Sequence, residues 1–148
     1  MSKKVLLVAE DDENDALLLE RALRRADSSF HLVRVADGEQ LVGYLQGDTP
    51  YHDRSAHPEP HLVLLDLKMP RMDGFDVLRW RRDRANGHLL PVIVFSSSTL
   101  DRDIRQAYAL GANSYVVKPM RAETLDGMVQ ALLAWWGRFN VGTQDASA

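Results

Sequence analysis

Side chains suited to metal and phosphate chemistry recur at matching places in this sequence, each directly after a short apolar run. Glu10-Asp11-Asp12 follows Val5 to Ala9, Asp66 follows His61 to Leu65, Ser96-Ser97-Ser98 follows Pro91 to Phe95, and Lys118-Pro119 follows Ser114 to Val117. Carboxylates pressed together repel, so a group of them needs a cation. An all-oxygen donor set with two carboxylates and room for water suits Mg²⁺, which prefers six oxygens in an octahedron. Such a metal and a lysine ammonium would draw in a phosphoryl donor and neutralise charge as the group passes. A carboxylate can itself be the nucleophile, giving an aspartyl phosphate. A nearby hydroxyl can hydrogen-bond the new phosphoryl oxygens.

Singly, each of these residues has an ordinary explanation. An acidic run after a strand supplies helix-capping charge. An aspartate at a strand end forms a turn. A lysine before proline is a solvated cation, and three serines make a polar loop. Their shared placement is what points to a site, and that placement depends on the elements between them.

Val5 to Ala9 is nearly all apolar and too short for a helix, so it reads as a strand buried on both faces. Ala16, Leu19, Leu23 and Ala26 follow at helical spacing, opened by the capping candidates Asp12 and Asn14. Phe30 to Val35 alternates as a strand should and ends at Asp37-Gly38; Leu41, Tyr44 and Leu45 mark a short second helix. His61 to Leu65 is a third strand, and Phe75 and Leu78 start a third helix after Asp73-Gly74. Pro91 to Phe95 gives a fourth strand, and Ile104, Ala107 and Tyr108 a fourth helix stopped by Gly111. Ser114 to Val117 is the fifth strand, before a long last helix carrying Leu125, Met128, Val129, Leu132 and Trp136. Strict alternation predicts an α/β, (βα)₅ doubly wound fold, flavodoxin-like, with one five-stranded parallel sheet. In such sheets ligands bind beyond the carboxyl ends of the strands, where the acidic groups, the hydroxyl and the ammonium converge.

With 148 residues, 45% of them hydrophobic and 26% charged, the chain fits one domain over residues 1–140, followed by a frayed polar tail at 141–148. No cysteine is present, which excludes disulfides and cysteine–zinc sites and fits a reducing cytoplasm. The net charge of −3 argues against strong non-specific attraction to nucleic acid or acidic membranes. The apolar run at the start is cut by Glu10-Asp11-Asp12 where a signal peptide would carry small residues. No stretch approaches the roughly 18 apolar residues of a membrane span.

From Val5 through the last helix the chain resembles a response-regulator receiver domain of the chemotaxis-regulator-like superfamily. The resemblance lies in Leu62-Val63-Leu64-Leu65-Asp66-Leu67-Lys68-Met69-Pro70-Arg71-Met72-Asp73-Gly74, in Pro91 to Ser96, and in Gly111-Ala112-Asn113-Ser114-Tyr115-Val116-Val117-Lys118-Pro119. It implies that Asp66 is the phosphoacceptor and that Asp11, Asp66 and the backbone carbonyl of Lys68 hold Mg²⁺. Glu10 would act on the metal through water, and Asp12 is the second choice as a metal ligand. Ser96 and Lys118 would bind the phosphoryl group, with Ser96 and Tyr115 forming the switch. The resemblance also implies a cis peptide bond before Pro119. Lys68 and Ser98 sit where the family varies residues beside the phosphoryl group, and a cation at Lys68 is expected to obstruct attacking water and slow phosphate loss.

The polar insert at 47–60, Asn14-Asp15-Ala16 and the aromatic last helix resemble the small regulators paired with bacterial phytochromes. The implied function is a stand-alone, single-domain regulator of a two-component phosphorelay. It would be phosphorylated by a sensor histidine kinase, such as a bacteriophytochrome, and would signal through its own surface. It is not expected to turn over an outside substrate. Competing readings are an aspartate-nucleophile phosphohydrolase, which usually has a second aspartate where this chain has Lys68, and a pseudo-receiver that is never phosphorylated. The last helix carries Leu125, Val129, Leu132 and Trp136 in one stripe, widened by Met128, Trp135 and Phe139. It reads either as a broad core face or as a homodimer surface. Arg79, Arg81, Arg82 and Arg84 read as a solvated face of the third helix rather than a nucleic-acid footprint. His52, His57 and His61, with Asp53 and Glu59, lack the regular spacing of a metal site.

Overall fold

A computed structural model describes residues 3–26 and 30–144. The strands are β1 (Lys4–Ala9), β2 (Phe30–Val35), β3 (Leu62–Leu65), β4 (Val92–Ser96) and β5 (Ser114–Val117). The helices are α1 (Glu13–Arg25), α2 (Gly38–Gln46), α3 (Gly74–Asp83), α4 (Asp101–Ala109) and α5 (Ala122–Ala134), the last continuing into a wider π turn, Trp135–Phe139. All strand pairs are parallel, in the order β2-β1-β3-β4-β5. The expected five-stranded doubly wound sheet is therefore present, and its order reverses between β1 and β3.

Side chains alternate across the sheet because successive Cβ atoms point to opposite faces. Leu7 and Ala9 of β1, with Val63 and Leu65 of β3, join one core layer with Leu41, Tyr44, Val77, Leu78 and Ala107 of α2, α3 and α4. Leu6 and Val8, with Leu62 and Leu64, join the other with Leu19, Leu23, Leu125, Val129 and Leu132 of α1 and α5. Burial on both faces is why β1 and β3 read as continuous apolar runs.

Helix starts follow the capping chemistry. Asp12 Oδ1 accepts from the Asp15 amide, and Asp37 Oδ1 from the Gln40 amide. Asp73 and Asp76 form a reciprocal capping box at α3. Gly74 could be no other residue without rearrangement, since a Cβ there would lie 2.5 Å from the Asp66 carbonyl oxygen. That close approach draws the start of α3 against the loop that follows Asp66.

Several expectations need correction. Arg81 is buried, because its guanidinium donates to the carbonyls of Leu90 and Gly111 and to Asn113 Oδ1, tying α3 to the starts of β4 and β5. Arg79 and Arg82 do lie on the outer face, paired with Asp76 and Asp83. The Lys118–Pro119 bond is trans, the ordinary state of such bonds, and the cis bond among the described residues is Thr49–Pro50. The tail is held as far as Gln144, whose side-chain amide donates to the Pro60 carbonyl; residues 145–148 lie outside the described part. The insert is a packed loop. His57 and Tyr51 set their rings against Tyr44, whose hydroxyl donates to Pro58 O. His61 Nδ1 accepts from the Val5 amide, so these histidines serve packing and backbone pairing. No described helix is long and apolar enough to cross a membrane.

The last helix gives part of its apolar stripe to the core and leaves part of it exposed. Leu125, Val129, Leu132 and Leu133 are buried, and Met128 and Trp136 pack against the same core. Trp135 and Phe139 point outward, 58% and 65% exposed.

Candidate functional site

Backbone pairing carries the sheet past the strand ends and fixes the site residues. The Glu10 amide donates to Val35 O, Asp66 to Ala9 O, and Lys118 to Ser96 O. These residues thus project from rigid positions at the carboxyl edge, beside the reversal in strand order. The two outer lines of the site come from α1 and from the loop between β3 and α3.

Glu10, Asp11 and Asp66 each bring a carboxylate oxygen within 4.8 Å of the others. Glu10 and Asp66 are buried, while Asp11 faces solvent. Lys118 lies over this group, its Nζ 2.6 Å from Glu10 Oε1 and 3.1 Å from Asp66 Oδ2. A third carboxylate, Asp15 Oδ2, stands 2.9 Å from the same nitrogen. Burial pushes Glu10 up to about 7; the hydrogen bond from Lys118 opposes that rise and the charge of Asp66 adds to it. Burial alone would lower Lys118, but Glu10, Asp15 and Asp66 outweigh it and hold the ammonium above the ordinary lysine range. The ammonium is therefore a permanent cation in a pocket of excess negative charge. An all-oxygen cluster of this kind fits a hard divalent cation.

The other predicted residues lie around it. Ser96 is fully buried, and its Oγ accepts from the Ser98 amide at 3.2 Å. Ser98 Oγ donates to Asp103 Oδ2 and so ties the loop to the first turn of α4. Tyr115 packs against the core with its hydroxyl donating to Ser98 O at 2.9 Å, so the hydroxyl loop and the aromatic residue are directly joined. The Lys68 amide donates to Asp66 Oδ1 at 3.3 Å, and its side chain is exposed. Asp12 stands apart from the cluster, its Oδ1 occupied in capping α1.

Two participants escaped the sequence reading. Asp15 reaches Lys118 across 103 positions of chain; in the sequence it reads as an ordinary acid in the first turn of α1. Arg71, in a left-handed conformation with φ 67°, pairs with buried Asp37 at 2.8 Å. With the Gly38 amide donating to Met72 O, this fastens the loop after Asp66 to the start of α2. Only the glycine's close approach left a trace in the sequence, as Asp37-Gly38.

The family described as "Response regulator receiver domain" matches residues 6–130. The chain is similar to response regulator Rcp1 of Synechocystis sp., at 31% identity over 133 residues, covering 90% of this chain and 88% of Rcp1. The structure of the Mn²⁺-bound form of Rcp1 has a TM-score of 0.82 at 30% identity, over 94% of this chain and 98% of that one. Response regulator RPA3017 in red light signalling of R. palustris has a TM-score of 0.88 at 37% identity, over 94% and 97%. The phosphorylated cyanobacterial phytochrome response regulator RcpA has a TM-score of 0.88 at 28% identity, over 96% and 99%.

Proposed function

Since this chain belongs to the response regulator receiver family, we propose that Asp66 is the residue on which it takes a phosphoryl group from a sensor histidine kinase. Homology to phytochrome response regulators supports a phosphorylatable regulator and a kinase partner. Receivers are signalling proteins rather than turnover enzymes, and we assign this chain no external substrate. The observation that carries the reading of Asp66 is its setting. A buried carboxylate at the end of a central strand lies within reach of both Lys118 and the Glu10–Asp11 pair.

Members of the family bind a divalent cation at this acidic cluster, and the oxygen-only donors here suit Mg²⁺. Asp11, Asp66 and the Lys68 carbonyl would hold it, with Glu10 acting through water and Asp12 left to its capping role. Bound there, the cation would neutralise charge on the transferring phosphoryl oxygens. An Asp66 carboxylate oxygen attacks phosphorus, and the bond from phosphorus to the donor's imidazole nitrogen breaks, that nitrogen keeping the electron pair. Lys118 donates to a phosphoryl oxygen. The Ser96 hydroxyl donates to another, and turning toward it shifts the Oγ that accepts from the Ser98 amide, which loosens the loop that Tyr115 grips through Ser98 O. The altered surface around α4 and β5 is the output.

A bacteriophytochrome kinase as donor, a cytoplasmic setting and a homodimer built on Trp135 and Phe139 belong to this reading. Direct binding to nucleic acid does not. Incubation with acetyl phosphate and Mg²⁺, followed by intact mass, tests it. A persistent single phosphoryl adduct supports a switch, steady phosphate release supports a hydrolase, and no adduct from any donor supports a pseudo-receiver.

A further inference from the structure

We propose that Asp15 is a positioning residue for Lys118, fixing the ammonium from α1 while the charge on its other partners changes. The proposal rests on the phosphoacceptor reading of Asp66.

An ammonium has three N–H donors, and Lys118 meets three carboxylates: Glu10 at 2.6 Å, Asp15 at 2.9 Å and Asp66 at 3.1 Å. Glu10 and Asp66 both belong to the cluster that suits a cation, and Asp15 does not. A cation drawn to Glu10 weakens the hold of that carboxylate on Lys118. Acetyl phosphate then transfers its phosphoryl group as an Asp66 oxygen bonds phosphorus and acetate departs with the electron pair of the broken P–O bond. Asp66 loses its carboxylate charge, and the donor that faced it turns to a phosphoryl oxygen. Two of the three anchors have therefore changed, and the Asp15 anchor has not. Asp15 is suited to this, because its own amide is held by Asp12 Oδ1 within the first turn of a thirteen-residue helix. Its side chain is 41% exposed against 13% for Lys118, so water screens the contact and its effect is moderate.

The test follows initial rates of adduct formation from acetyl phosphate at saturating Mg²⁺ in wild type, Asp15→Ala, Asp15→Asn and Glu13→Ala. Glu13 is a second acid in the same turn, 89% exposed and paired at 3.5 Å with Arg34 rather than with Lys118. Asp15→Ala should lower the maximal rate about three- to tenfold, with half-saturation by Mg²⁺ and by donor unchanged within about twofold. Asp15→Asn, which keeps an acceptor oxygen at the same reach, should fall between, and Glu13→Ala should match wild type. Independently of any turnover, the ¹⁵N-edited signal of the Lys118 ammonium should be sharp in the wild type with Mg²⁺ and broadened away in Asp15→Ala. Wild-type rates and a sharp ammonium signal in Asp15→Ala overturn the proposal, as does an equal loss in Glu13→Ala, which would make the effect one of general charge. A wild-type chain that takes no adduct overturns the reading of Asp66 itself.

Discussion

Replacing Glu10 by glutamine should make the metal-free chain more stable in alkali and change little in acid. Glu10 is 2% exposed, and burial lifts its pKa from 4.5 to about 7 even with Lys118 donating to it. A folded-state pKa above the unfolded one means that the native chain holds the proton more tightly. Stability is then greatest in acid, falls as pH passes the ordinary carboxylate range, and levels off above about 7. Between pH 5 and pH 8 this single group costs the native state about 2–3 kcal/mol. Glutamine keeps the shape of the protonated acid and has no such transition. Urea unfolding of both proteins in chelator, at pH 5 and pH 8, gives the comparison directly. The variant's advantage should grow by about 2–3 kcal/mol from the lower to the higher pH. Saturating Mg²⁺ at pH 8 should erase it, since the cation compensates the charge that burial penalises. An advantage that stays constant with pH, or is larger at pH 5, refutes the reasoning.

Other perturbations probe the remaining parts. Arg81→Met should cost about 3 kcal/mol in urea unfolding, because the carbonyls of Leu90 and Gly111 lose a buried charged donor. Arg82→Ala, whose pair with Asp83 is exposed, should stay within about 0.5 kcal/mol. Lys68→Ala should shed phosphate faster than wild type in a single-turnover phosphate-release assay, if the cation obstructs attacking water; slower release would contradict that role. Sedimentation equilibrium should show wild type associating at high concentration and a Trp135→Ser, Phe139→Glu double variant remaining monomeric. A wild type that is monomeric throughout, with and without a phosphoryl mimic, removes the dimer.

What was readable in advance was whatever local pattern dictates. Val5 to Ala9 and Leu62 to Leu65 are apolar throughout because both faces of a central parallel strand are covered, and that covering leaves its mark on every residue. Asp66, Ser96 and Lys118 were legible because strand ends share one edge by topology, so position after an apolar run stands in for position in space. Pairings across the fold leave no such mark. The arginine run of α3 looks uniform in sequence, yet Arg81 alone falls on the inner side, where unpaired carbonyls at the starts of β4 and β5 receive it. Asp15 looks like a helix-start acid, and only the reach of the Lys118 side chain from beyond the end of β5 makes it a partner. Composition marked residues 47–60 only as a polar insert, and the packing of Tyr51 and His57 against Tyr44 there could not be read from it.

The central claim is that the phosphoryl group goes to one carboxylate, Asp66, and the chemistry of acyl phosphates allows it to be located. Borohydride reduces an acyl phosphate to the alcohol, which turns a phosphorylated aspartate into homoserine. The chain is exposed to acetyl phosphate and Mg²⁺, reduced, digested and sequenced by mass spectrometry. Homoserine at position 66, absent from Asp66→Asn and from a sample kept in chelator, is the predicted result. Homoserine at Asp11 or Asp12 instead, or none at position 66 in a sample whose intact mass shows the adduct, would contradict the account.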